Sequence, residues 1–347
     1  MAPVWLLEVN MKLDKYEFNP ILKPNPNNDW ENLCVLNPAV IYDEKEKLFK
    51  MIYRAAGNDE THYIYLGLAV SEDGFHFKRV FDHPVLSPDF DGPDGGCVED
   101  PRLFKLDDYY YLTYASRTFP PGQYWKEEKK YYGFQPKYGP TMLINNNSIS
   151  YLAISKDLKT FKKLGRISDS RVDDRDDVIF FNSKLQKFVK LSRPVEYVGP
   201  EYGCKTSSIW ISFSDDLLEW GKPTLLYEGH RWWEDKKTGA STNVIETEYG
   251  FLLTYHGVST KDDNYRIGAM MLDKDDPTKI LAITNNPILE PELEYETSGF
   301  YNGCVFPCSI VVKDNLMYWY YGTADKFVCV ATTAFNQFID QLMKGEL

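Results

Sequence analysis

The stretch GGCVEDPRLFKLDDYYYLTYAS, residues 95–116, decides the fold. Its first part, Val98 to Phe104, is short and strand-like; an acidic turn follows, then the aromatic run Tyr110 to Ser116. Together they read as a β-hairpin. Glu99 and Asp100 stand side by side in it, ahead of Pro101 and Arg102. Neighbouring side chains of a strand point to opposite faces, so one of the two carboxylates is expected to face inward, where a charge is costly unless paired or used. Taken by itself, the pair reads most simply as part of a buried ion pair with Arg102.

The hairpin recurs along the chain. Aromatic-rich runs like 110–116 stand at 48–54 (LFKMIYR), 187–193 (KFVKLSR), 250–256 (GFLLTYH) and 316–322 (LMYWYYG). Each follows a shorter strand-like run, at 37–42, 177–181, 243–246 and 305–311. After three copies comes a serine, an acidic turn and an aromatic residue: Ser71 to Phe77, Ser155 to Phe161 and Ser214 to Trp220, with 271–277 a degenerate fourth. Asp and Gly suit such tight reversals. Five repeats of this kind predict an all-β fold, a five-bladed β-propeller, whose closed ring protects strand edges. One domain is expected over 1–347. Residues 117–150 interrupt the second repeat as a rim or lid insertion carrying Tyr124-Trp125, Tyr131-Tyr132 and Asn145-Asn146-Asn147. Helical periodicity is confined to 334–345, where Phe335, Phe338, Ile339 and Leu342 share one face and predict a short C-terminal helix bracing an edge.

Composition narrows the function. With 39 Lys and Arg against 51 Asp and Glu, the net charge is −12, which argues against nucleic acid or an anionic membrane as partner. A small or neutral substrate fits better, and the 15% aromatic content suits both strand packing and the faces of sugars. The six cysteines form no CxxC pair and have no histidine at metal spacing, so free buried thiols in a reducing compartment are expected. The apolar run Val4 to Leu7 is too short for a signal segment and no membrane span follows, so a cytoplasmic location is expected. The sequence leaves a homo-oligomer open.

In a propeller, the inner strands surround the axis and their corresponding ends converge on one funnel. The residues expected there are Asn37 and Arg54, then Glu99, Asp100 and Arg102, then Arg175, Asp176, Asp177 and Arg193, then Asn243 and His256, and finally Asp325. A polar funnel for a polyhydroxylated substrate accounts for such a set better than unrelated ion pairs do. The acidic run 173–177 lacks the glycine and spacing of a calcium loop and has Arg175 in its middle, so no metal is expected.

An ordered set of motifs then resembles a known family. It comprises Leu36-Asn37-Pro38-Ala39, Tyr53-Arg54, Glu99-Asp100-Pro101-Arg102, Ser192-Arg193-Pro194, Trp232-Trp233-Glu234 with Lys237 and Gly239, Tyr255-His256-Gly257-Val258, Tyr295-Glu296-Thr297, Val305-Phe306-Pro307-Cys308 and Tyr320 to Asp325. Over about residues 36 to 333 this looks like glycoside hydrolase family 130, the β-mannoside phosphorylases and related mannosidases. The resemblance implies one catalytic acid, Asp100, which passes its proton through a hydroxyl of the bound mannose while phosphate attacks the anomeric carbon from the opposite face. It further implies a phosphate pocket of Arg175, Arg193, Lys237 and His256, and a mannose site with Asn37, Arg54 and Asp325. Asp263 is a weaker sugar candidate, Glu99 a hydrogen-bond partner for the sugar or a neighbouring blade, and Arg102 the residue that fixes local geometry. Inorganic phosphate is implied as co-substrate, and no other cofactor.

The chain also departs from that pattern. Asp176 and Asp177 follow Arg175 where many family members carry Asn, the run 180–183 lacks the usual proline, and Ser241-Thr242-Asn243 replaces a Gly/Pro-containing segment. A carboxylate beside phosphate repels it and could instead activate water. Three readings therefore stand: inverting phosphorolysis of a β-mannoside, an inverting β-mannosidase with Asp176 or Asp177 as base, and a non-catalytic carbohydrate-binding propeller.

Overall fold

The computed structural model describes residues 12–126 and 136–347. The chain begins there with β1 (Asp14–Lys15). Blade one follows as β2 (Cys34–Asp43), β3 (Leu48–Ala56), β4 (Ile64–Ser71) and β5 (Lys78–Arg79). Blade two is β6 (Glu99–Leu106), β7 (Tyr109–Ser116), β8 (Ile149–Ser155) and β9 (Lys162–Arg166), with the short helix α1 (Thr141–Asn145) between β7 and β8. Blade three is β10 (Val178–Asn182), β11 (Lys187–Ser192), β12 (Ile209–Ser214) and β13 (Thr224–Tyr227). In blade four the inner strand is split into β14 (Lys237–Ala240) and β15 (Ile245–Glu246), both paired with β16 (Phe251–Val258), then β17 (Tyr265–Leu272) and β18 (Ile280–Ile283). After the one-turn helix α2 (Glu294–Thr297), blade five is β19 (Val305–Lys313), β20 (Leu316–Thr323) and β21 (Phe327–Ala334), and α3 (Phe335–Lys344) ends the chain.

All five sheets are antiparallel meanders, and each repeat seen in the sequence is one blade of a five-bladed β-propeller. The ring is closed by a device that the repeats did not reveal. The outer strand of blade five is β1, so the first described strand pairs with β21, Asp14 opposite Thr332. Apolar clusters fill the seams between neighbouring blades, as with Ile52, Leu66, Leu103 and Leu112 between blades one and two. The helix α3 docks Phe338, Ile339 and Leu342 into the seam of blades four and five, which is the bracing role its periodicity predicted.

Within each serine turn the hydroxyl accepts a backbone N–H three residues on, from Gly74, Leu158 and Leu217 respectively. That third residue has positive φ in all three turns, so two leucines occupy a conformation that glycine tolerates better.

A second repeated device holds the blades. The tyrosine near the end of each aromatic run, other than in blade three, faces a buried carboxylate that a basic side chain neutralises. Tyr53 donates to Glu31, which Arg79 meets at 2.7 Å; Tyr114 donates to Asp94, which Lys163 meets at 2.6 Å; Tyr321 donates to Glu296, which Lys15 meets at 2.7 Å. In blade four Glu234 takes Tyr227 and Arg231 beside Tyr255. In blades one, two and five, buried tyrosine hydroxyls and carboxylates satisfy one another this way instead of lying unpaired.

The hairpin at 95–116 departs from simple alternation. A register shift separates Glu99 from Arg102 in the β6–β7 ladder, and Asp100 has φ of 53°. Pro101 has no N–H to give to the ladder, and such a bulge turns consecutive side chains toward one side. Glu99 and Asp100 therefore both point at the Arg54 guanidinium, at 3.1 and 2.9 Å, instead of to opposite faces. The same bulge recurs at Asn37-Pro38, where the shift lies between Leu36 and Ala39 and Asn37 has φ of 46°.

Candidate active site

The funnel ends of the inner strands, with the loops above them, enclose a pocket of about 450 Å³. Of the residues predicted from the sequence, Asn37, Arg54, Glu99, Asp100, Arg175 and Asp325 line it. Asp100 is its central group. Its carboxylate oxygen Oδ1 accepts from Asn37 Nδ2 at 2.6 Å and from Arg54 Nη1 at 2.9 Å, and its carbonyl accepts from Arg102 Nη1 at 2.7 Å. Burial pushes this carboxyl up, but Arg54 and Arg102, with the hydrogen bonds from Asn37 and Arg54, outweigh it and hold the group below the usual carboxylate range. With this set of neighbours Asp100 is a carboxylate at neutral pH. Across from it, Asp325 is raised by burial against the opposing pull of Arg54, and it accepts the Tyr124 hydroxyl at 2.6 Å.

Of the four residues expected to cradle phosphate, Arg175 lines the pocket, whereas Arg193, Lys237 and His256 stand on blades three and four behind its lining, Lys237 against Tyr265 and His256 against Phe306. Arg175 reaches the pocket and is held by Asp173 at 2.6 Å. Behind it Arg193 Nε meets Asp176 Oδ2 at 2.7 Å, while Arg102 Nη2 meets Asp176 Oδ1 at 3.3 Å. His256 is fully buried; its Nδ1 lies 3.1 Å from Ser241 Oγ, and its Nε2 stands 3.6 Å from Asp176 with no hydrogen-bond partner among the described residues. With Ser241 donating to Nδ1, Nε2 carries the hydrogen and is free to donate to a ligand. Burial lowers the His256 pKa to about 3, so the ring is neutral. The backbone comes close enough here to need glycine: a Cβ on Gly239 would sit 2.5 Å from the His256 ring and 2.7 Å from Asp176.

Lys237 opens β14 and places its ammonium on the Tyr265 hydroxyl at 2.5 Å. Burial, then the charges of Arg193 and Arg175, lower its pKa to about 7 against the opposing pull of Asp176. A bound anion there would restore its charge.

Three expectations need correction. Asn243 is not in the funnel: it exchanges hydrogen bonds of 2.9 and 3.1 Å with the Ile310 backbone and lines a second cavity, with Val40, Phe181 and Ile245. Because the blade-four strand is split, Lys237 to Ala240 take the funnel end and Asn243 falls toward the other. Asp263 does not line the pocket either; its carboxylate pairs with Lys236 and is largely exposed. Asp177 is buried behind the site against Lys190 at 3.4 Å.

The sequence reading missed several lining residues. Tyr265, Tyr301 and Phe306 enter from blades four and five, and Arg117 stands where the insertion leaves β7. Nothing local marks the three aromatics among 45 tyrosines and phenylalanines (25 Tyr and 20 Phe). The insertion does supply pocket residues, namely Pro121, Tyr124, Asn145 and Asn146, although β8 begins inside its predicted range, at Ile149. Tyr131-Tyr132 lie outside the described residues.

Comparison with known proteins shows the family. Residues 12–132 and 141–344 match the family model of glycoside hydrolase family 130, described as beta-1,4-mannooligosaccharide phosphorylase. A 1,2-β-oligomannan phosphorylase of Thermoanaerobacter sp. (strain X514) is 36% identical over 331 residues, covering 92% of this chain and 97% of that protein. A β-1,2-mannobiose phosphorylase of the same organism is 33% identical over 334 residues, covering 92% and 96%. Among solved structures, the β-1,2-mannobiose phosphorylase from Listeria innocua in complex with β-1,2-mannobiose shares the fold with a TM-score of 0.76 at 23% identity, over 96% of this chain and 99% of that one. By the match along nearly its whole length and these relatives, the chain belongs to glycoside hydrolase family 130.

Proposed function

We propose that this protein catalyses inverting phosphorolysis of a β-linked mannoside, in which a mannosyl-sugar and inorganic phosphate give α-mannose 1-phosphate and the shortened sugar. The observation that carries this reading is the division of the site into two halves. A carboxylate held by Asn37 and Arg54 stands on one side, and Arg175, Arg193, Lys237 and a neutral His256 with an unused Nε2 stand on the other. A dianion suits the second half, since guanidinium groups and N–H donors bind phosphate oxygens strongly.

In this reading Asn37, Arg54, Glu99 and Asp325 hold the mannosyl unit. Its hydroxyls take over the donors that now face Asp100, and burial under the sugar raises the carboxyl, so that it takes up a proton from solvent on substrate binding and passes it through a mannose hydroxyl to the leaving oxygen. Arg102 fixes the bulge by holding the Asp100 carbonyl. Phosphate then attacks from the side of blades three and four, and Arg175 exchanges Asp173 for a phosphate oxygen.

Hydrolysis through Asp176 or Asp177 is the less favoured reading. Both oxygens of Asp176 face cations, and although burial raises its carboxyl, the guanidinium groups of Arg193 and Arg102 hold it below the usual range, which makes it a very weak base. Asp177 lies behind the pocket. The curated relatives cited above, named as phosphorylases, support the same choice.

Incubation of the protein with β-1,2- and β-1,4-mannobiose, with and without phosphate, tests the proposal. Cleavage is expected only with phosphate, and its product is α-mannose 1-phosphate; equal cleavage without phosphate would overturn it. The depressed Lys237 adds a pH signature. Its ammonium is charged below about pH 7 and neutral above, so kcat/KM for phosphate should fall as pH rises through that value. In K237R that limb should disappear, because a guanidinium does not titrate there.

A further inference from the structure

The limb of the insertion that leaves β7 crosses the mouth of the pocket. The Gly96 N–H donates to the Arg117 carbonyl at 2.8 Å and anchors the limb on blade two. The Gly122 N–H donates to the Thr61 carbonyl at 3.0 Å and Gln123 Nε2 to the Asp59 carbonyl at 3.0 Å, which lays it over the loop between β3 and β4. The Trp125 ring packs on Phe300, 4.4 Å between centroids, and on His62 at 4.9 Å. A segment of blade two thus bridges blades one and five, and at its far end Tyr124 lines the pocket and donates to Asp325 Oδ2.

We propose that Tyr124 is a positioning residue for the mannosyl unit: from outside the five blades it fixes the Asp325 carboxylate as an acceptor of sugar hydroxyls. The inference rests on the reading of Asp325 as a mannose-binding group. Asp325 follows Ala324, and both have positive φ, so a tight left-handed turn between β20 and β21 aims the carboxylate at the pocket. It faces Arg54 from β3, Glu99 and Asp100 from β6, the thiol of Cys34 from β2, and Cys304 and Tyr301 from the segment before β19. Burial, with the charges of Asp100 and Glu99, favours a proton on Asp325, while the Arg54 guanidinium and the hydrogen bond donated by the Tyr124 hydroxyl oppose it. Burial and Asp325 push the phenol far up, so it stays a donor. An ionised carboxylate with one oxygen fixed still has lone pairs for two sugar hydroxyls, whereas a protonated one offers fewer.

Y124F keeps the ring and removes only the donor. Its KM for the mannoside is expected to rise about tenfold, with KM for phosphate unchanged within about twofold. The acid limb of kcat/KM should also move to higher pH, because Asp325 takes up its proton sooner. Y124A, which opens the bridge as well, should show at least the same rise. Unchanged mannoside KM and acid limb in Y124F would overturn the proposal, and so would equal rises in both KM values, which mark a merely structural role. If the unmodified protein cleaves mannosides without phosphate, the phosphorylase reading falls, while the mannoside KM and pH comparison still decides the role of Tyr124.

Discussion

Replacing Asp100 by Asn should lower kcat for phosphorolysis by about a hundred- to ten-thousandfold while leaving mannoside binding within a few-fold. The side chain keeps its shape and can still accept from Asn37 and Arg54 through its amide oxygen, but it cannot deliver a proton. The loss should depend on the leaving group. An aryl β-mannoside with an acidic phenol needs little proton assistance, so the variant should recover most of its rate on that substrate, measured as phenol released in the presence of phosphate. Calorimetric titration with the natural disaccharide checks that binding survives. A variant with more than about a tenth of the original kcat on that disaccharide would remove Asp100 from the donor role.

The second large effect is expected at Arg193. Its guanidinium is buried and meets Asp176 at 2.7 Å, so Arg193→Ala leaves a buried carboxylate with only Arg102 at 3.3 Å and a neutral His256 at 3.6 Å. Removing one partner of a buried ion pair costs about 3–5 kcal/mol, which denaturant unfolding would detect. Phosphate affinity should fall in parallel, by about a hundredfold in KM, if the guanidinium also binds the anion. The two effects separate in the double variant with Asp176→Asn. Neutralising Asp176 should restore much of the stability but only a small part of the phosphate affinity, the part due to relieved charge repulsion. Full recovery of both would mean that Arg193 acts only by neutralising Asp176. The pH dependence has a definite sign: Asp176 is depressed in the folded protein, so its contribution to stability is present above its unfolded pKa and is lost as pH falls. The difference between Arg193→Ala and the parent protein should therefore shrink in acid.

Much of the fold could be read because aromatic runs of strand period repeat five times, and a repeat must be satisfied by one supersecondary unit stacked on its copies. The site was legible to the extent that its residues sit at equivalent ends of those repeats. Asn37, Arg54, Asp100, Arg175 and Asp325 were found that way and share one pocket. Asn243 was misplaced by the same rule, because β14 and β15 divide one inner strand and the repeat did not reveal the break. The tyrosine–carboxylate clamps were not legible where they join residues from distant strands or loops, such as Lys15 and Glu296.

The sequence by itself determined the propeller, its five blades, its bracing helix and the kinds of side chain at the funnel, because periodicity and repeat are local properties. Three things were decided only in the folded chain. The bulge at Asp100-Pro101 turned both Glu99 and Asp100 onto Arg54, where alternation would have parted them. The closure of the ring came from β1 on β21, some 300 residues apart. The surroundings of Asp176 were set by its neighbours: Arg102 arrives from blade two and His256 from blade four, and no property of the run 173–177 indicates that they meet there. Charge is felt through space, so what a carboxylate can do depends on which distant residues the fold brings beside it.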